Sequence, residues 1–168
     1  KRLIGKLLLF ALPFIILLGL PAAAMVQGGE FSRIEKIIAL QSSSSAPVLF
    51  GRAYSDPTAY YKLQSVLNRD PDVLVLGTSR VLAVRSAFFR NGAEFFNAGN
   101  GITRLSHLRK FLAKLPADRT PEVILFGLDQ YFLNGNFDTL ADEGMEDLWA
   151  SDRRPHATFF ANWMQIYT

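Results

Sequence analysis

The sequence predicts an α/β protein with a three-layer parallel sheet, preceded by one transmembrane helix. Three observations lead there. Between Pro57 and Tyr131, apolar runs of strand length alternate with stretches of helical periodicity. Such alternation implies parallel strands joined by right-handed crossovers. The strand-length runs are apolar on both alternating faces, which suits a sheet covered on both sides. Leu7–Met25 carries no charge, and about twenty apolar residues match the thickness of a bilayer core.

The chain has 168 residues, room for one domain beside the membrane segment. It has no cysteine, so disulfides and thiolate metal sites are excluded. No metal site and no cofactor are expected. The formal charge of +3 is mild, and Lys1, Arg2 and Lys6 contribute to it at the N-terminus. No Lys/Arg run with interleaved aromatics occurs, so no nucleic-acid partner is expected. The chain begins at Lys1 and stops in the run Ile166-Tyr167-Thr168, and a longer natural chain is expected.

Residues 1–26 read as an anchor with a basic flank. The flank faces the cytoplasm by the positive-inside rule, so the main domain lies periplasmic or extracytoplasmic. Pro13 and Gly19 are tolerated in membrane helices. Ala22-Ala23-Ala24 offers a signal-peptidase pattern as the competing reading, but the apolar stretch exceeds the usual signal length. Residues 27–47 form a juxtamembrane helix and a Ser-rich linker. Phe31, Ile34, Ile37 and Ile38 have helical spacing over Phe31–Leu40. That stripe either lies on the membrane or covers its own domain.

Residues 48–133 form the α/β domain. Val48–Phe50 is a candidate short strand. Ser55-Asp56-Pro57 starts a helix that runs to Arg69. Asp70-Pro71-Asp72 is a turn, and Val73–Gly77 the central strand. Val81–Arg90 reads as a helix, Glu94–Phe96 as a second strand, Thr103–Leu115 as a helix, and Glu122–Gly127 as a third buried strand. Residues 134–168 hold an acidic stretch, Asp138–Asp147, and an aromatic tail with Trp149, Phe159, Phe160, Trp163 and Tyr167. That tail is expected to cover the domain, a partner or a membrane face.

Each strand ends in a polar, glycine-containing loop: Gly77-Thr78-Ser79, Asn97-Ala98-Gly99-Asn100-Gly101 and Gly127-Leu128-Asp129. In a parallel sheet these carboxyl ends share one edge, where open α/β sheets bind ligands. Ser79 is either an activated nucleophile there, or Thr78 and Ser79 merely supply the N-cap of the next helix. A phosphate loop is a poor match, because Gly77-Thr78-Ser79 lacks the glycine spacing and the lysine. A serine nucleophile needs a base, and only His107 and His156 exist. His107 reads as a surface or helix-packing residue. His156 sits in a charged turn with Asp152, Arg153 and Arg154.

The order and placement of these loops resemble the SGNH (GDSL-type) hydrolases, a flavodoxin-like fold. The nearest look is that of their membrane-anchored, extracytoplasmic branch, which includes teichoic-acid D-alanylation and alginate O-acetylation proteins. That branch combines an anchor with Gly-Thr/Ser-Ser-Arg, Asn-x-Gly and Gly-x-Asp-x-Tyr/Phe strand ends. Here the matches are Gly77-Thr78-Ser79-Arg80, Asn97-Ala98-Gly99 and Gly127-Leu128-Asp129-Gln130-Tyr131. The resemblance implies Ser79 as nucleophile and one oxyanion donor, with Gly101, Gly99 or Asn97 as further donors. Thr78, Arg80 and Asp129 would line the site. Asp129 stands where the superfamily has asparagine, and an aspartate carboxylate cannot donate to an oxyanion, so a structural role is expected. The late Asp-x-x-His motif of the superfamily is missing. Two functions follow. One is an acyl (acetyl) esterase or transferase on cell-envelope polysaccharide, partnered by a membrane-bound O-acyltransferase. The other is a non-catalytic accessory subunit docked on a larger membrane complex.

Overall fold

The structure is a computed structural model that describes residues 2–51, 57–89, 92–136 and Trp149. The helix start at Ser55-Asp56, the acidic stretch, His156 and the aromatic tail beyond Trp149 lie outside the described residues. Among the described residues the protein is α/β, with four α-helices and a three-stranded parallel sheet. The described residues divide into two compact units, one with 2–32 and 49–51 and the other with Arg33–Val48 and the described residues from Pro57 to Trp149.

In the first unit, helix α1 spans Arg2–Gln27. Its 26 residues give about 39 Å of length, enough to cross a bilayer core of about 30 Å. It contains Pro13 and Pro21, and no residue in its most apolar window is buried. By length and composition α1 is thus a helix able to cross a membrane. The helix ends at Gly28-Gly29, where Gly29 takes φ +80° and Glu30 N–H closes on Met25 O at 3.1 Å.

The second unit starts with α2, Ile34–Ser43, three residues later than the spacing of Phe31 suggests. Helix α2 packs on α3, Thr58–Arg69. Tyr60 donates to Glu35 and Ser42 to Asn68, at 2.6 and 2.9 Å. The stripe of Ile34 and Ile38 is buried, so it covers its own domain. No strand forms at 48–50. Helix α3 ends where Asp70 turns left-handed at φ 50°, which sends the chain through Pro71 into β1, Val73–Gly77.

Strand β1 lies in the middle. It pairs in parallel with β2, Phe95–Gly99, and with β3, Val123–Phe126, giving the order β2-β1-β3. Leu74 and Leu76 of β1 pack with Phe96 and Ala98 of β2 against Leu63 and Val66 of α3, Phe111 of α4 and Trp149. Helix α4 spans Leu105–Leu112.

Three further expectations are corrected. Val81–Arg90 is not an α-helix: the described part holds two short 3₁₀ segments, Ser79–Ala83 and Ser86–Phe88. The Asn97 amide explains this, since it donates to Val81 O and Val84 O at 2.7 and 2.9 Å. Val81 O is one acceptor an α-helix would need. Strand β2 does not stop at Phe96 but continues through Asn97 to Gly99, so Asn97 is a strand residue. Strand β3 is not buried: Val123, Ile124 and Leu125 are 43, 40 and 40% exposed. It has β1 on one side, and nothing among the described residues pairs with its other margin.

Candidate functional site

Passing from β1 to β2 and then from β2 to β3 moves the chain in opposite directions across the sheet. The right-handed rule therefore places the two crossovers on opposite faces. The first crossover, with its 3₁₀ segments, hangs from Asn97. The second, with α4, packs on the face of Leu74 and Leu76. The strand order thus reverses about β1, and the edge between the carboxyl ends of β1 and β3 is a topological switch point.

The residues there are held tightly. Gly77 takes φ +146°, a conformation that side chains rarely adopt, and turns the chain out of β1. Thr78, Ser79 and Arg80 follow. Thr78 is buried and caps the 3₁₀ segment, accepting from Arg80 N–H at 3.4 Å. Its hydroxyl donates to Asp129 Oδ2 at 2.5 Å. The other Asp129 oxygen meets Arg80 Nη1 at 3.2 Å. One buried carboxylate on the β3 loop thus ties down Thr78 and Arg80, the two residues that flank Ser79 on the β1 loop. Of the two hydroxyls that could cap, Thr78 does so, and Ser79 is left exposed. Among the described residues the Ser79 hydroxyl has no hydrogen-bond partner.

The three loops converge on Val81. A methyl at Gly77 would meet Val81 Cγ1 at 3.0 Å, and one at Gly99 would meet Val81 Cγ2 at 2.9 Å. One at Gly127 would collide with Val81 Cγ1. The isopropyl group is a peg in a socket of three strand-end glycines, and it fixes the segment that carries Ser79. Asn100 N–H donates to Gly77 O and Gly127 N–H to Leu76 O, both at 2.9 Å, so the side loops are laced to the central strand.

The resemblance-derived oxyanion donors are engaged elsewhere. Both Asn97 amide protons go to Val81 and Val84, Gly99 N–H goes to Asn97 Oδ1 at 2.8 Å, and Gly101 N–H goes to Ala98 O at 3.0 Å. The N–H of Ser79 itself makes no hydrogen bond among the described residues. His107 is buried on α4, with Nδ1 3.2 Å from Thr103 Oγ1 and its ring edge-on to Trp149 at 5.3 Å. It serves packing. Among the described residues no group of three His, Asp or Glu could hold a metal.

Two residues went unread in the sequence. Lys62 of α3 reaches across to donate to Asn97 O at 2.8 Å, with its ammonium 5.4 Å from the Phe96 ring centroid. Burial lowers its pKa below the usual 10.5. Its only sequence signal was a cation inside the apolar stripe of Tyr60, Leu63 and Val66. Val81 gave a clearer one: a β-branched residue two positions after Ser79, in a chain whose strands all end in glycine.

No family model matches this chain, and comparison with the curated proteins and with the solved structures returned no match.

Proposed function

We propose that the chain is a membrane-anchored, SGNH-like acyl esterase or transferase of the cell envelope, with Ser79 as the nucleophile. One observation carries this reading. The Ser79 hydroxyl stands exposed and unbonded on a glycine-turned strand end, at a switch point of a parallel sheet. Attack by its oxygen on an acyl carbonyl, with the hydroxyl proton passing to a base, would give a tetrahedral oxyanion that accepts from Ser79 N–H; its collapse would break the bond to the donor's leaving group, which departs with that proton and leaves an acyl-enzyme. The base and its orienting acid come from outside the described residues, because His107 is committed to the core. The flavodoxin-like assignment belongs to this reading: the order β2-β1-β3 is its first three strands. Helix α1 then holds the domain at the outer face of a cytoplasmic membrane, its basic flank inside, beside an integral membrane O-acyltransferase and a polysaccharide acceptor. Labelling the membrane-embedded chain with a fluorophosphonate tests the reading. Wild type is expected to label and Ser79→Ala to lose the label; equal labelling rejects the nucleophile.

A second reading has its own support. With Asn97, Gly99 and Gly101 all satisfied internally, the edge can be a static docking platform for a larger membrane complex. Co-purification of a membrane partner by a chain that does not label favours this accessory role.

A further inference from the structure

We infer that Lys62 is a positioning residue for the candidate nucleophile: from α3 it holds the Asn97 main chain at the margin of the sheet, and through the Asn97 side chain it holds the segment that carries Ser79. This rests on the reading of Ser79 as the nucleophile and adds what keeps it in place. The pairing of β2 shows why a donor is needed. Val73 N–H goes to Glu94 O and Asn100 N–H to Gly77 O, at 3.0 and 2.9 Å. Main-chain groups alternate in direction along a strand. The even-numbered residues of β2 therefore turn toward β1, and the Asn97 carbonyl points away from it at the outer edge of the sheet. Lys62 Nζ donates to that carbonyl at 2.8 Å.

Asn97 is the hook from which the first crossover hangs. Its amide nitrogen donates to Val81 O and Val84 O, and its amide oxygen accepts from Gly99 N–H. All three bonds hold its side chain. Lys62 holds its carbonyl, so the hook is fixed at its root as well as its tip. The lysine is set for that contact. Its stem lies against the strand-end loop, where a methyl at Gly101 would meet Lys62 Cβ at 3.3 Å. Its ammonium and the Arg69 guanidinium each lie 5.4 Å from the centroid of the Phe96 ring. Among the described residues no carboxylate pairs with Lys62, and the group is half-buried. A carbonyl at a sheet margin asks only for water, and a half-buried cation is a costlier partner. What the cation adds is a stronger, charge-assisted bond.

The test follows amide hydrogen exchange in the full chain in a neutral detergent. The reporters are Gly99 N–H, bonded to Asn97 Oδ1, and Val84 N–H, bonded to Val81 O at 3.0 Å. The control is Ala113 N–H on Arg109 O at the end of α4. Lys62→Met keeps an apolar stem and removes the donor. It should speed exchange at Gly99 and Val84 by about tenfold or more, as for loss of a hydrogen bond to a charged group, and leave Ala113 unchanged. Lys62→Arg should restore most of the protection. If Lys62→Met does not fold, Lys62→Gln is read against the same control. Fluorophosphonate labelling runs alongside: Lys62→Met should slow it by a similar factor, and Lys62→Arg should recover it. A wild type that does not label rejects the nucleophile, and exchange still decides whether Lys62 holds the segment. Exchange at Gly99 and Val84 that stays at the wild-type rate, that rises equally at Ala113, or that Lys62→Arg fails to restore overturns the inference, as does labelling that Lys62→Met leaves at the wild-type rate.

Discussion

Strands β1 and β3 carry nearly the same sequence, Val-Leu-Val-Leu-Gly and Val-Ile-Leu-Phe-Gly, and meet opposite fates. Leu74 and Leu76 have no exposed surface, whereas Ile124 and Leu125 of β3 keep 40% of theirs. Both strands pair in parallel and both run into the candidate site. Among the described residues β1 has a strand on each side, whereas β3 has one and, unlike the other edge strand β2, does not bury its side chains. An apolar run thus reports that a strand forms. Its burial depends on what lies beside it.

The sharpest way to break this comparison is truncation on both strands. Leu76→Ala should cost about 2–5 kcal/mol, because it opens a cavity in closed packing. Ile124→Ala should cost about 1 kcal/mol, within the ordinary range for a partly exposed site. Chemical denaturation of the two variants checks this, and equal losses would mean that β3 is as enclosed as β1. Next in size is Gly127→Ala. The added methyl runs into Val81, and overpacking of this kind costs about 1–3 kcal/mol. Pairing it with Val81→Ala should recover much of the loss in a double-mutant cycle, whereas simple additivity would mean the peg and socket are uncoupled.

The smallest effect concerns the neighbour of β1 on the other side. Burial lowers the pKa of Lys62, so the unfolded chain binds its proton more tightly than the folded one. Stability should therefore rise as pH climbs through the folded pKa toward about 10.5, and level off above it. Lys62→Met should remove that rise. Denaturation midpoints across this alkaline window read the difference; an unchanged slope in the variant assigns the rise to another group.

Much of the framework was legible because it rests on local signals. The uncharged run of α1, the stripe of α3 up to Arg69, the Asp70-Pro71 turn and the three strand cores are written in periodicity and turn chemistry. The crossover after β1 was not. Its sequence has helical spacing, but the Asn97 side chain competes for Val81 O and Val84 O, and that bond joins residues 16 and 13 positions apart. Propensity sees only neighbours, so a distant amide overrides it unannounced. The site divided in the same way. Ser79 and Asp129 stood out as polar residues at strand ends. That Asp129 would grip Thr78 and Arg80 together depends on β1 and β3 being adjacent, which no single stretch encodes.

The glycine socket has one more consequence. Val81 fits because the positions after Leu76 and Phe126, and the one after Ala98, all lack side chains at the same level of the sheet. A slip of β3 by one residue would bring Phe126 or Leu128 under the peg, and a slip of β2 would bring Ala98 or Asn100. Either error lifts the serine off its perch. Misaligned strands and a misplaced hydroxyl are thus one and the same defect, so only a correctly threaded sheet can display Ser79 at its rim.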